Sequence, residues 1–349
     1  MRPFEPKRWR ALPLVVGGLV LAALAVRHVA PLAHAMAQRL WFPHPLEWME
    51  GGHLVNAARL LEGEPIYVPC DRGFVSLPYP PVHFALLAAT GALFGLDYGT
   101  GRLVSLAALL ACVTLLSREV WRAAPSQLSR EVRVLLVMGS IAAGYPIVDG
   151  WYDLIRVDML LAALLIGAAT LCFQVPMTIG HATGAAVLLT LACYTKQTAV
   201  LYAPWLGFVV LLRNRVAAGW LVGLTTFLGG FTLLGLQEWT DGWFWQTNVS
   251  MLAGHELVPA FTWRAGELYA RYAPYLPMTF LLAIIAAWKR WLSSRTWPWV
   301  GMLLVAIPQC LWAASKAAAH INNLMMAVLL AGPVTLMVVG DIATALKKR

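Results

Sequence analysis

The sequence predicts an all-α, polytopic membrane protein of about ten transmembrane helices, and three observations carry that expectation. Hydrophobic residues make up 60% of the 349 and charged residues 12%, with mean hydropathy +0.67; soluble domains run at roughly half apolar and a quarter charged. Apolar runs near the ~17 to 25 residues that cross a bilayer recur at 11–33, 101–117, 132–149, 157–175, 178–195, 198–212, 216–236, 274–288, 296–314 and 321–340. The cations behind the net charge of +9 sit in short clusters between those runs. They read as topology signals and not as a nucleic-acid surface.

The first run follows the basic stretch RPFEPKRWR and leads to Ala33, His34 and Ala35, a small-x-small pattern of the kind signal peptidase cuts. At 11–33 the run is longer than the ~7 to 15 residues of a signal-peptide core, so it is expected to remain as a span. The region 34–100 then reads as a first outer loop with interfacial helices. Within it Leu54, Ala57, Ala58 and Leu61 repeat at helical spacing, and Glu47, Glu50 and His53 fall three apart, on one face.

The run PPVHFALLAATGALFG at 80–95 decides the topology, because every later loop changes side if it spans. With it lying in the interface, 16 of the 26 Lys and Arg fall inside; with it spanning, only 10 do. The positive-inside rule selects the first arrangement, which puts both termini in the cytoplasm. It leaves 13 of the 17 acids outside, the exceptions being Glu5, Glu119, Glu131 and Asp341. Two more outer segments stand out. In DGWYDLIRVDM, the residues Asp149, Asp153, Arg156 and Asp158 crowd a turn between two spans, and the segment 237–273 is rich in aromatics. One transmembrane domain over 1–349 is expected, with no soluble C-terminal domain. Of five cysteines only Cys70 lies well into an outer loop, so neither a disulfide framework nor a metal-ligand spacing is present.

The order of EWMEGG soon after the first span, a helix ending in GEPIY, then YPPVHFALLA, RVDMLLA and TKQTA resembles the polyprenyl-phosphate-sugar-dependent glycosyltransferases of the GT-C superfamily, which include protein mannosyltransferase-like and aminoarabinose transferase-like members. The resemblance covers residues 40–215 and continues more faintly to 340. It rests on the order of the motifs, since none is specific alone. It implies a GT-C-like fold with interfacial helices in the first outer loop, and transfer of a sugar from a polyprenyl-phosphate donor to an acceptor hydroxyl or amine at the outer face of a bacterial inner membrane.

Such a reaction needs a carboxylate that takes the acceptor proton and cations that hold the departing lipid phosphate. The resemblance places Glu50, the acid before Gly51, in the base or metal-ligand role, with Glu47 second. The family often has an adjacent Asp-Glu pair, and Glu-x-x-Glu here leaves that choice open. An N-terminal acid stabilising a helix dipole is the structural alternative for Glu50. Asp153 stands where many members have a second outer-loop acid, which makes it a third catalytic candidate. A divalent cation, Mg or Mn, held by Glu50 and Asp153 is compatible with a superfamily whose metal dependence varies.

Lys196, between two spans at the outer interface, needs an anion or water at that depth. A lipid phosphate supplies one, and snorkelling is the alternative. Arg156, Gln197, Lys316 and His320 are further donor-phosphate candidates. The substrate candidates are Asp158, Trp243, His255 and Tyr79, which with Pro80 and Pro81 also shapes its loop. Asp158 and Arg156 as an ion pair at a helix start, and Trp243 as part of an interfacial aromatic belt, are the structural alternatives. Partners implied are the lipid-linked donor and membrane lipid, with the acceptor open. A chain short for the superfamily leaves room for a partner subunit. A non-catalytic membrane subunit and a transporter are the competing classes. Charges clustered at span ends and the lack of a visible half-repeat count against the transporter.

Overall fold

The computed structural model describes residues 7–70, 73–123 and 130–348. Arg2 and Glu5 of the N-terminal tail, Asp71, Arg72 and Arg349 lie outside the described residues. Among the described residues the chain is helical throughout, with one isolated pairing of extended backbone, Leu257 with Lys316. A long α1 (Lys7–Leu40) is followed by two short helices, α2 (Glu50–Leu61) and α3 (Val82–Phe94), and then by α4 (Tyr98–Ala123) and α5 (Arg130–Ala143). The 3-10 turns Tyr145–Val148 and Trp151–Asp153 lead into α6 (Val157–Cys172) and α7 (Ile179–Cys193). A further 3-10 stretch, Gln197–Tyr202, runs into α8 (Ala203–Arg213), and α9 (Arg215–Trp239) follows. Then come α10 (Trp243–Trp245), a π turn at Gln246–Ser250, α11 (Met251–Ala253), α12 (Pro259–Tyr272), α13 (Leu276–Trp288), α14 (Trp297–Ala314) and α15 (Met325–Lys347).

All ten apolar runs are helical, but their lengths correct the expectation of ten full spans. Six helices are long and apolar enough to cross by themselves, and a seventh span is the pair α12 and α13, bent by 74°. The bend falls at Pro274, which cannot continue the helix before it. Helices α6, α7 and Gln197–Arg213 are each between 10 and 17 residues long. They nevertheless connect the two ends of the bundle. The first residues of α6 meet the acid-rich loops through Asp158, and its last carbonyl, Cys172 O, accepts from Arg213 Nη1 at 3.3 Å. A 16-residue helix measures about 24 Å, and α6 is buried along most of its length, so protein rather than lipid surrounds it. The chain is an integral membrane protein.

Loop ends alternate as the cation count requires. Residues 41–70, 73–81, 95–97, 144–156, 194–197 and 315–320 meet at one end, joined by Arg102, Arg156 and Lys196. Residues 173–178, 213–214 and 289–296 meet at the other, where Arg213 Nη2 donates to Ser294 O at 2.7 Å and Asn214 Nδ2 to Met177 O at 3.2 Å. Both ends of α3 are held at the acid-rich end. Val82 N–H donates to Tyr194 O at 2.9 Å, and Asp97, just past α3, caps α4 by accepting from Thr100 N–H at 2.7 Å. With 13 residues, α3 is about 20 Å long and enters one leaflet only, its terminal Leu93 and Phe94 exposed. The expected loop boundaries move slightly. Helix α1 continues to Leu40 and α4 starts at Tyr98, while the segment after Trp239 is largely helical.

The arrangement makes a topological prediction. Cysteines placed at the exposed positions Glu62 and Asp97 label from one side of the membrane and one at Lys289 from the other. If labelling separates Glu62 from Asp97, α3 is a span.

Candidate functional site

The site is organised by an ion pair with no exposure to solvent. Glu50, the first residue of α2, faces Arg102, in the first turns of α4, and both side chains are fully buried. Arg102 Nε and Nη2 donate to Glu50 Oε1 and Oε2 at 3.1 and 2.8 Å. The remaining guanidinium hydrogens go to the carbonyls of Arg39 (2.9 Å), Phe42 (2.6 Å) and His44 (2.8 Å). All five donors of the guanidinium are thus used. Glu50 also accepts from the Leu46 N–H at 2.7 Å and the Ile155 N–H at 3.0 Å. All four acceptor positions of the Glu50 carboxylate are thus occupied in this arrangement. Glu50 joins α2, α4, the 41–49 loop and the 145–156 hairpin.

One turn earlier, Glu47 is placed differently. Its Oε2 accepts from Met49 N–H at 3.0 Å and lies 3.4 Å from Arg156 Nη1, while Oε1 is buried without a partner. Burial pushes its carboxyl above the usual range, and the Arg156 charge opposes that shift. Arg156 Nη2 donates to Tyr79 Oη at 2.8 Å, the guanidinium lies 4.7 Å from the Trp151 ring centre, and Nε is buried without an acceptor. His320 stacks on Trp151, ring centres 4.7 Å apart, and its Nε2 lies 3.6 Å from Asp149 Oδ2. The order Arg156, Trp151, His320 therefore forms a stack beside Glu47.

The hairpin that supplies this stack turns through Asp149 (φ 54°) and Gly150 (φ 71°). Left-handed backbone is easy for glycine and tolerated by Asp, and at Gly150 a β-carbon would also stand 2.9 Å from Arg39 Nη1. Asp153 Oδ2 lies 3.3 Å from Arg39 Nε without hydrogen-bond alignment, and Oδ1 accepts from Tyr145 Oη at 3.2 Å. Burial raises the Asp153 carboxyl and Arg39 opposes the shift. With Glu50 filled by N–H donors and Asp153 against Arg39, these two acids do not fit a shared divalent cation. Among the described residues no group of three or more His, Cys, Asp and Glu is arranged to hold a metal.

Lys196 has an internal anion. Its Nζ donates to Asp158 Oδ1 at 2.7 Å and to Asn323 Oδ1 at 2.9 Å, and Asn322 Nδ2 donates to Asp158 Oδ2 at 2.9 Å. Asp158 thus pairs with Lys196, not with Arg156. Gln197 Nε2 donates to the carbonyls of Pro78 and Asn248 at 3.2 and 2.9 Å, fastening two loops. Lys316 donates to Leu252 O at 3.2 Å and lies over Trp312. Trp243 packs on the cluster of Ile66, Tyr67, Phe84 and Phe244. His255 sits in the strand-like segment whose Val258 N–H donates to Ser315 O at 2.7 Å. Neither Trp243 nor His255 joins the Glu47 group through a side-chain contact among the described residues.

Three contributors escaped the sequence reading. Arg102 and Arg39 had been counted only as charges, although an arginine inside the apolar run that starts α4 is itself a signal. The third is His83, whose Nδ1 lies 3.2 Å from Nδ1 of His53, the residue noted on one face with Glu47 and Glu50; both Nε2 atoms are buried and unpartnered. Burial lowers both, His83 to about 3, so both are neutral.

No family model matches the chain, and no curated protein does. Among solved structures, ArnT from Cupriavidus metallidurans in the apo state superimposes with a TM-score of 0.56 at 14% identity, over 94% of this chain and 60% of that one. The chain therefore shares the helical membrane-protein fold of that structure. The structure of the same protein bound to undecaprenyl phosphate aligns at a TM-score of 0.48 and 15% identity, over 96% of this chain and again 60% of that one. The chain thus spans about three fifths of the structures it resembles.

Removing one partner of a buried ion pair leaves the other charge uncompensated, typically at about 3 to 5 kcal/mol. Glu50→Gln and Arg102→Met are each expected to lower the unfolding midpoint in detergent sharply, with Glu62→Gln, on an exposed residue, as the unchanged control. Fluorescence-detected size exclusion after heating reads the difference.

Proposed function

We propose that the chain is a membrane glycosyltransferase that moves a sugar from a polyprenyl-phosphate donor to a hydroxyl or amine acceptor at the acid-rich end of the bundle. One observation carries this reading: Glu47 Oε1 and Arg156 Nε belong to one buried ion pair, and each is without a partner of its own. An unpartnered buried acceptor and donor are costly unless a ligand satisfies them. Side by side they match both halves of the transfer. The GT-C fold and the ordered motifs of residues 40–215 support the same class.

In this mechanism Glu47, not Glu50, is the base. The acceptor oxygen or nitrogen bonds to the anomeric carbon while its proton passes to Glu47 Oε1. The bond from that carbon to the phosphate oxygen breaks, and its electron pair leaves with the polyprenyl phosphate. Arg156, fixed by Tyr79 and Trp151, meets the charge that develops on the phosphate. The exposed His320, stacked on Trp151, stands at the rim, where a second phosphate oxygen would arrive. Lys196 contributes to donor binding only by exchanging Asp158 for phosphate, and its first role is to hold α6, the 194–197 loop and Asn323 together. By the cation count this end faces outward, which in this reading is the outer side of a bacterial inner membrane. No step is assigned to a divalent cation.

Two outcomes test the assignment. Glu47→Gln is expected to lower transfer from a polyprenyl-phosphate sugar by about a hundred to ten thousandfold while donor affinity holds. A variant that transfers at the native rate would remove Glu47 as base. Arg156→Ala is expected to weaken donor binding about ten- to hundredfold, the effect of losing a charge-assisted contact. The pH profile gives an independent check. A carboxylate base works only when ionised, and burial raises the Glu47 carboxyl above its ordinary value of 4.5. The acid limb of the rate profile therefore falls at a higher pH than an exposed glutamate would give.

A further inference from the structure

The end of the bundle opposite Glu47 carries a second charge cluster that the proposed reaction does not use. In the last turns of α4, Glu119 is buried and lies 3.9 Å from Arg122 Nη1. The charges of Arg118 and Arg295 also reach its carboxylate, and the Trp299 indole faces it. Arg213, which ends α8, is close enough to feel both Glu119 and Arg295. Its Nη1 donates to Cys172 O and Gln174 O at 3.3 and 3.0 Å, and its Nη2 to Ser294 O at 2.7 Å. Arg122 Nη1 donates to Gln174 Oε1 at 3.4 Å, which ties the two arginines to one loop.

Four guanidinium groups thus share one carboxylate. Of the other described acids at this end, Asp341 accepts from the Ser293 N–H at 2.7 Å and Glu131 faces the charge of Arg133. Arg118, Arg213 and Arg295 form no ion pair among the described residues, and Arg295 Nη1 is buried without an acceptor. Trp299 Nε1, on a fully buried residue, has the Glu119 carboxylate as its own oxygen partner. Arg118, Arg122, Arg213 and Arg295 set against Glu119 leave about three positive charges in excess, and the buried Nη1 of Arg295 lacks an oxygen partner. Exposed Trp121, Leu211 and Leu212 flank it, which sets the arginines at the depth where spans leave the hydrocarbon.

We propose that this end binds the phosphate of an anionic membrane phospholipid, with the headgroup against Arg118, Arg122 and Arg295 and the acyl chains in the adjoining leaflet. A phosphate supplies several acceptor oxygens and the missing negative charge at one point, and basic pockets between helix ends are suited to such headgroups. Arg213 holds three backbone carbonyls and acts here mainly through its charge.

The full chain, purified in detergent, is titrated with phosphatidylglycerol, with phosphatidylcholine of the same acyl chains and with inorganic phosphate, and bound species are counted by native mass spectrometry. The native chain is expected to prefer phosphatidylglycerol. Arg118→Gln, on an exposed side chain whose loss does not threaten folding, weakens that binding about fivefold, and Arg118→Gln with Arg295→Gln about twenty-fivefold. Arg264→Gln, exposed on α12 at the other end, leaves it unchanged. Equal retention of the two lipids, or native phosphatidylglycerol binding by the single and double variants, overturns the proposal. Inorganic phosphate binding as tightly as the lipid also overturns it, by making the ligand a free anion.

Discussion

Arg102 and Glu50 set the terms for everything at the acid-rich end. An arginine with five satisfied donors and a glutamate with four satisfied acceptor positions tolerate almost no displacement, because any shift leaves a buried charge unsolvated. The pair fixes the chain leaving α1, the start of α2, the start of α4 and the backbone at Ile155. Glu47 and Arg156 belong to two of those segments, so their meeting distance is a consequence of this junction. A rigid support under a less satisfied pair is the arrangement a reacting site needs, since the support holds geometry while the upper groups retain unused hydrogen-bonding capacity.

A second constraint is electrostatic. The cations near Glu47 are not idle, because Arg156 has Glu47 and Lys196 has Asp158. Phosphate entering here must compete with a carboxylate or add to a pair, and Arg156 is better placed to add because one of its N–H groups is unused. The two pairs are linked through the chain as well. Asp158, the second residue of α6, follows Arg156 by two positions, so one short stretch carries a member of each pair.

Much of this was legible in the sequence, and the reasons are physical. Apolar length and cation placement located the helices, and the count of Lys and Arg assigned 80–95 to the interface, because membrane solvation acts on every residue of a run. The same pattern overstated full spans, since α6, α7 and Gln197–Arg213 are enclosed by protein and need not match the bilayer. Motif order led to the observed fold, while it ranked Glu50 over Glu47. Both are acids on one helical face, and only their partners separate them. Those partners, Arg102 from 52 residues away and Ile155 from 105, come from long-range packing that local pattern does not encode. Lys196 was read as a cation awaiting an anion for the same reason, its partner Asp158 lying 38 residues earlier.

The shortness of α3 has a consequence for what surrounds it. Helices α2 and α3 lie at the acid-rich end and do not continue to the opposite one, and Leu93 and Phe94 at the end of α3 are exposed. The helix thus ends in an apolar tip that no part of the described chain covers, and whatever meets it there must be apolar as well.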